Sequence, residues 1–358
     1  MHRQYDFKIC TPIYMRQPKQ LVTQKDASLK TYNTFGVDGR ADMIISFRNE
    51  EDLYDILDHF NHSMKVLGGG SNILVTGNVD YLLLKNEIRG IQIIAQNDQS
   101  VTIDIGGGEL WHDLVLWAVK RNYGGLENLS LIPGTVGAAP IQNIGAYGVE
   151  LKDVFVSLDA VHLETTVRKE FSAADCKFGY RDSYFKTEQK EEYCITYIRL
   201  KLTKPGHHIF KLAYGDVQKT LEADGIKKPT VKAVSDAVIK IRQSKLPNPS
   251  ELGNAGSFFK NPEIPTTDAE KLLAQYPDMP QFATSKPDLI KIPAGWLIEH
   301  CGWKGKRVGN TGAHAQQALV LVNYGEATGA EIWQLAQDII ASVHSSFGIE
   351  LMVEVNIW

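Results

Sequence analysis

Residues 253–262, GNAGSFFKNP, place one hydroxyl group between small side chains and two phenylalanines, and we expect a loop over residues 253–260. The small neighbours leave the backbone unhindered, so Ser257 could face a bound ligand. The segment is not a nucleophile elbow, because G-x-S-x-G needs glycines where this chain has Ala255 and Phe259. The alternative is an ordinary serine in a turn before a strand. Residue types alone leave both interpretations of Ser257 open.

Residues 177–183, KFGYRDS, form a turn-like segment between two predicted strands. The planar guanidinium of Arg181 could bind a carboxylate or a phosphate in a forked geometry that lysine does not supply. A surface ion pair with Asp182 or Asp175 is the alternative. Tyr214, in the sequence AYGD, could stack on a base or reach a phosphate, although a tyrosine before a turn is equally ordinary.

The end of the chain alternates apolar and polar residues, which predicts a strand over residues 351–358. The apolar residues would share one face and place Glu354 on the other, where most glutamates are solvated. Lys245, at the end of a helix predicted over residues 230–245, could supply local positive charge or only complement the helix dipole. The polar residues before the apolar strand predicted at 318–323 could line a cleft at its mouth: His314, Gln316 and Gln317.

Residues 131–148, LIPGTVGAAPIQNIGAYG, contain four glycines, two prolines and no charged side chain, which disfavours both helix and strand. Successive N–H groups in such a loop form anion-binding concavities, so the segment predicts a neutral cradle for a diphosphate. A buried connection between two sheets is the alternative.

Glycine clusters at 68–72 and 106–108 each follow an apolar strand, but neither continues into the dinucleotide fingerprint. Three such loops favour one extended nucleotide lying across them.

The composition narrows the class of protein further. A formal net charge of −4 and a pI near 6.2 give no global attraction to nucleic acid or anionic membranes. Four widely spaced cysteines, with no metal-ligand spacing, favour a reduced cytosolic protein without a metal site. No apolar run approaches the ~20 residues of a membrane span, and we expect a cytoplasmic monomer.

The helices and strands that the sequence predicts, and that would position these residues, indicate an α+β fold of three units. Strand and helix patterns alternate up to residue 84, and longer runs of β-forming residues follow between 91 and 202. A last long helix should end at Gly348. The predicted divisions are an N-terminal extension (1–28), two units (29–85 and 86–242), a third unit (243–353) and a strand end carrying Glu354 (354–358).

Taken together, the motifs resemble the UDP-N-acetylenolpyruvoylglucosamine reductases, flavoenzymes of bacterial cell-wall precursor synthesis. The sequence around Tyr214 resembles the first type of this family, which has an extra tyrosine-bearing loop. The resemblance begins near residue 29, runs to the C-terminus and is carried by NTFG (33–36), GGGSN (68–72), residues 132–148, GYRDS (179–183), KLP (245–247), residues 253–262, 293–298 and 314–321.

The resemblance implies non-covalent FAD in the fold shared with vanillyl-alcohol oxidase, with 29–85 and 86–242 as FAD-binding subdomains and 243–353 as a substrate-binding domain. It implies NADPH as hydride donor and UDP-N-acetylglucosamine enolpyruvate as substrate. It further implies that hydride adds to C3 of the enol ether, that Ser257 protonates C2, and that Arg181 and a protonated Glu354 stabilise the charge on the carboxylate. The implied FAD contacts are Gly68, Gly69, Gly70, Ser71, Asn72, Pro133, Gly134, Thr135, Gly137, Asn143, Gly145, Ala146 and Tyr147. The implied substrate contacts are Tyr180, Tyr214, Lys245, Asn261 and Gln317.

The chain departs from the family pattern beside Glu354, where Val353 replaces a common proline and Asn356 replaces an arginine. Two other classes of protein compete with the reductase. An FAD-dependent oxidase would often tether its flavin through a histidine near the first glycine loop, and residues 68–74 contain none. A non-catalytic nucleotide-binding protein would tolerate the replacement of Ser257 by alanine.

Overall fold

The computed structural model describes residues 21–60, 62–284 and 286–358. In the first unit the sheet order is β1-β2-β5-β3; β1 pairs antiparallel to β2, while β2, β5 and β3 run parallel. Asn49 caps the helix by accepting a hydrogen bond from the N–H of Asp52, as its position before an apolar periodic pattern predicts. The elements are β1 (Val22–Ser28), β2 (Arg40–Phe47), α1 (Glu50–His59), β3 (Met64–Leu67), β4 (Ile73–Leu74) and β5 (Val79–Asn86).

The edge strand β1 falls inside the segment predicted as an N-terminal extension. Its backbone pairs with β2 from Val22 opposite Ser46 to Ser28 opposite Arg40. Only Ala27 of this strand is buried, so its polar composition gave no strand signal. Residues 1–20 of the predicted extension, including Cys10, lie outside the described residues.

The second unit is an antiparallel sheet of order β11-β10-β12-β7-β6 with a core of its own. The strands predicted near 91–94, 101–105, 154–163, 167–172 and 193–202 are all confirmed. The elements are β6 (Ile91–Gln96), β7 (Ser100–Gly106), α2 (Trp111–Lys120), β8 (Gly145–Ala146), β9 (Val149–Glu150), β10 (Phe155–His162), β11 (Arg168–Ser172), β12 (Tyr193–Thr203), α3 (Val217–Ala223) and α4 (Val231–Lys245).

The third unit is built on the sheet β13-β19-β18-β17, beside the smaller sheet β14-β16-β15. Gly348 ends the last helix with a φ of 68°, as predicted. The core of this unit is continuous with part of the first unit. The elements are β13 (Gly253–Ser257), β14 (Glu263–Pro265), α5 (Thr266–Gln275), β15 (Phe282–Ala283), β16 (Leu289–Lys291), α6 (Ala294–His300), β17 (Arg307–Val308), β18 (Thr311–Ala313), β19 (Val320–Asn323), α7 (Gly329–Phe347) and β20 (Asn356–Ile357).

Two predictions about strands in this unit are wrong. Residues 253–257 were expected in a loop but form β13, because their backbone pairs with β19 despite their low β-propensity. The strand expected over 351–358 is regular only in β20, which pairs in parallel with β4 of the first unit. The remainder makes an isolated bridge between Val353 and Phe259. This return of the chain end joins the third unit to the first.

Among the described residues, no helix combines the length and apolar character needed to cross a bilayer.

Candidate active site

A cavity opens where the glycine loops meet β13 and the C-terminal segment. The loop at 68–72 and the loop at 131–148 lie in contact, since a Cβ added to Gly69 would lie 2.7 Å from the Cα of Gly134. Glycine is therefore required there for backbone to pack on backbone. Predicted residues that line this cavity are Gly68, Gly69, Gly70, Ser71, Asn72, Pro133, Gly134, Thr135, Gly137, Gly145, Arg181, Ser257 and Glu354.

Backbone pairing brings Glu354 next to Ser257. The N–H of Glu354 donates to the carbonyl oxygen of Phe258 at 2.8 Å, and the side-chain amide of Asn72 donates to the carbonyl oxygen of Glu354 at 3.2 Å. Asn72 thus ties the first glycine loop to the chain end. Ser257 ends β13 with an exposed side chain at the cavity wall, after Gly256 with a φ of 69°.

Arg181 reaches the cavity from a tight turn in which it adopts a φ of 51°. Its Nε lies 3.3 Å from Oε1 of Glu354, and its Nη2 donates to the carbonyl oxygen of Gly145 at 2.6 Å. A Cβ on Gly145 would lie 3.0 Å from Nη1 of Arg181, so this glycine makes room for the guanidinium. The surface ion pair considered for Arg181 is replaced by the pair with Glu354.

The carboxyl group of Glu354 is buried, and burial raises its pKa. Three cations lower it again, namely Arg181, Lys186 and Lys260, but desolvation is the largest influence. Glu354 is therefore not the solvated glutamate that the strand pattern left open as an alternative, because its side chain lines the cavity and pairs with Arg181. The apolar side, including Leu351 and Val355, is buried in the core as predicted.

Two of the predicted substrate contacts, Tyr180 and Asn261, lie in a second, neighbouring cavity. Burial raises the pKa of Tyr180, and the side chain of Asn261 lowers it again. The ammonium of Lys291 lies 4.6 Å from the centre of the Tyr180 ring. This arrangement presents a polar aromatic surface with positive charge above it, which suits an anionic or aromatic ligand.

The other predicted substrate contacts do not line either cavity. Tyr214 is 53% exposed and lies over Gly148. Lys245 Nζ is bonded to Oδ2 of Asp216 at 2.7 Å, on the same loop as Tyr214. Gln317 lies against Gly295.

Three of the predicted cofactor residues, Asn143, Ala146 and Tyr147, are absent from the lining of the first cavity. Asn143 instead shapes the loop, since its left-handed backbone (φ 43°) ends a 3₁₀ helix and its side-chain amide donates to Glu150 and to the carbonyl oxygen of Gly179.

In the glycine cluster at 106–108, Gly107 lines the cavity. A Cβ on any of its three glycines would meet backbone oxygen within 2.4–2.7 Å, so close packing also requires them.

Sequence reasoning missed four cationic residues of the cavity lining, Lys65, Lys186, Lys190 and Arg242. The Nε atom of Arg242 is buried without a hydrogen-bond partner among the described residues. Lys186 donates to Oε1 of Gln142 at 3.3 Å, and burial is the main cause that lowers its pKa to about 8. Arg242 precedes Lys245 on α4 and Lys186 follows Arg181 closely, so proximity to predicted residues was the available signal.

Comparison with known proteins defines the class. A family model described as an FAD binding domain matches residues 41–169, which include both the 68–72 loop and the whole 131–148 loop. A second model, described as the C-terminal domain of UDP-N-acetylenolpyruvoylglucosamine reductase, matches residues 248–358. The α+β, FAD-binding fold expected from the sequence is thereby confirmed, and the chain is an FAD-binding oxidoreductase.

Curated relatives give the family. A protein of Flavobacterium johnsoniae named UDP-N-acetylenolpyruvoylglucosamine reductase is 49% identical over 335 residues, 93% of this chain and 99% of the relative. A protein of the same name from Pseudomonas aeruginosa is 48% identical over 341 residues, 94% of this chain and 99% of the relative. The chain belongs to the family of UDP-N-acetylenolpyruvoylglucosamine reductases. The solved reductase from Thermus caldophilus shares the fold, with a TM-score of 0.65 at 22% identity over 95% of this chain and 99% of that one.

Proposed function

We propose that the chain reduces UDP-N-acetylglucosamine enolpyruvate to UDP-N-acetylmuramate with NADPH as hydride donor, in the synthesis of peptidoglycan precursors in the cytoplasm. The observation that carries the proposal is the convergence of Arg181, Glu354 and Ser257 on the cavity formed by the glycine loops. A guanidinium, a carboxyl group of raised pKa and a hydroxyl group fit the reduction of a double bond conjugated to a carboxylate.

The lining of the cavity fits FAD in two respects. Its glycine loops expose backbone N–H groups, and it contains an arginine side chain with an N–H group that is unpaired among the described residues. The glycine loops at 68–72 and 131–148 would hold the diphosphate through backbone N–H groups. Arg242, whose Nε has no partner among the described residues, would face an anionic or carbonyl group of the bound molecules. When bound, FAD supplies the hydride carrier between NADPH and the enol ether.

Side chains of the cavity would then stabilise the negative charge that hydride addition creates on the substrate. As hydride adds to C3, the electron pair of the double bond moves towards C2 and the adjacent carboxylate, which becomes more negative. Arg181 would bind this carboxylate, and Glu354 in its protonated form would donate a hydrogen bond to it. The basic carbon C2 would take its proton from the hydroxyl of Ser257.

The nucleotide part of the substrate would extend towards the second cavity. Tyr180 and Asn261 both line that cavity, and Lys291 adds positive charge. Tyr214 and Lys245 would approach from the α3–α4 side and contact the diphosphate, and Gln317 would contact the amino sugar. This division assigns recognition of the sugar nucleotide to the third unit and to the loop carrying Tyr214.

An anaerobic visible spectrum tests the function directly. Purified protein supplied with FAD should lose its flavin absorbance after one equivalent of NADPH and regain it on addition of the enolpyruvyl sugar. Return of the absorbance only with oxygen would favour an FAD-dependent oxidase. Absence of bound flavin, even after FAD is added, would contradict the role of the glycine loops.

A further inference from the structure

Lys186 lies in the same cavity as Arg181, Glu354 and Ser257, yet the proposed reaction gives it no role. Its ammonium donates to Oε1 of Gln142 at 3.3 Å. The same oxygen accepts from the side-chain amide of Asn72 at 3.2 Å, and Asn72 also donates to the carbonyl oxygen of Glu354. Lys186 is therefore linked through Gln142 to Asn72, the residue that holds the backbone of Glu354.

The ammonium has hydrogen-bonding capacity to spare. It carries three N–H donors, and Gln142 is its only hydrogen-bond acceptor among the described residues. The charged groups that face it are the cations Lys260 and Arg181 and the carboxyl groups of Glu354 and Asp182. Since burial favours the protonated form of Glu354, the cluster has an excess of positive charge that an anionic ligand would balance.

We propose that Lys186 binds the carboxylate of the enolpyruvyl group together with Arg181 and stabilises the negative charge that builds there during hydride addition. The inference rests on the proposed function and deepens it. The C3–H bond forms as the C2–C3 π bond breaks, its electron pair moves to C2 and the carboxylate oxygens, and C2 then takes the proton of Ser257. Lys186 keeps all its protons and acts only through charge and hydrogen bonding.

A lysine in this role makes substrate binding sensitive to alkali. Burial and the nearby Lys260 lower the pKa of Lys186 to about 8 in the free protein, and a bound carboxylate would favour its protonated form. Above that pH the substrate must bind together with a proton. The affinity should therefore fall about tenfold for each pH unit, while arginine at this position would remain charged.

The test is a titration of oxidised FAD-loaded protein with UDP-N-acetylglucosamine enolpyruvate from pH 6.5 to 9.5, followed by the change in the flavin spectrum. Each variant is compared with its parent in the Glu354→Gln background, so that ionisation of Glu354 does not contribute to the alkaline loss. Lys186→Met should raise Kd at least tenfold at pH 7 and remove the alkaline loss of affinity. Lys186→Arg should retain affinity and also lack the alkaline loss. Lys201→Met, on the exposed side of β12, should behave as the wild-type protein.

Three results would overturn the role of Lys186: a Kd of Lys186→Met within twofold of wild type, a persistent alkaline loss in Lys186→Arg, or a Gln142→Leu variant with the same weakened, pH-independent binding as Lys186→Met. The last would show that the lysine acts only by holding Gln142. Failure of the wild-type protein to reduce the enolpyruvyl sugar would overturn the proposed function as well. Wild-type turnover with unaltered binding by Lys186→Met would overturn this inference alone.

Discussion

The hydroxyl of Ser257 is an unactivated proton donor, since no carboxylate or histidine forms a hydrogen bond with it among the described residues. Such a group can protonate only a strongly basic atom, which the carbon next to the reduced double bond would become. We expect Ser257→Ala to lower kcat by roughly 10²–10⁴-fold, the usual contribution of a positioned acid. Stopped-flow absorbance should still show reduction of the flavin by NADPH at the wild-type rate.

Ser250→Ala provides the matched control for this variant, because Ser250 is an exposed serine shortly before β13. It should turn over like the wild-type protein. Reoxidation of the reduced flavin by the enolpyruvyl sugar at an unaltered rate in Ser257→Ala would assign the proton to another donor.

The buried carboxyl group of Glu354 makes the reaction depend on pH. Because its pKa is raised above its ordinary value of 4.5, the proton remains bound at a pH where a solvated glutamate is ionised. If the protonated form donates to the substrate carboxylate, kcat at saturating substrate should fall as the pH rises through the raised pKa. Glu354→Gln should lose this fall, because the amide donates without titrating.

The size of the loss of kcat in Glu354→Gln shows whether residue 354 acts by donating a hydrogen bond. Glu354→Gln keeps a donor, so its loss of kcat should stay below the ~10²–10³-fold that follows removal of an electrostatic donor. A pH profile identical to wild type would remove Glu354 from this role. If Glu350→Gln altered the profile instead, the catalytic carboxyl group would be Glu350.

At the scale of elements, the contact between the two glycine loops determines the shape of the cofactor cavity. A methyl group on Gly69 would lie 2.7 Å from the Cα of Gly134, and backbone on both sides leaves little room to adjust. Gly69→Ala should therefore separate the loops and lower the FAD content of the purified protein. Gly77→Ala is the control, since a Cβ there meets nothing within 4 Å. Equal FAD content in both variants would show that loop contact does not govern cofactor retention.

The sequence predicts those helices and strands whose formation depends on neighbouring residues. Helix starts and stops depend on nearby residues, so Asn49 and Gly348 could be predicted as caps. The strand at 253–257 and the orientation of Glu354 depend on pairing between distant segments, including the bond from Glu354 to Phe258. The resemblance supplied the roles of these residues. Lys186 and Arg242 were missed because only burial distinguishes them from ordinary charged residues.

For the whole molecule, the proposed substrate contacts are too dispersed to act together in this conformation. Arg181, Glu354 and Ser257 line one cavity and Tyr180 another, while Tyr214 is 53% exposed. Lys245 Nζ donates a hydrogen bond to Oδ2 of Asp216 at 2.7 Å, so this bond must break before Lys245 can bind a diphosphate. A substrate that bridges these residues would draw the third unit and the Tyr214 loop inward.

Small-angle X-ray scattering of the FAD-loaded protein should therefore give a smaller radius of gyration with saturating UDP-N-acetylglucosamine enolpyruvate than without it. The scattering mass should remain that of a monomer of 39.9 kDa. Tyr214→Ala removes one of the contacts that would hold the loop closed, so it should reduce the contraction and raise KM for the sugar nucleotide while NADPH still reduces the flavin. Identical scattering with and without substrate would mean that side-chain rearrangement alone brings the nucleotide contacts together, because closure of the third unit would necessarily change the distribution of mass.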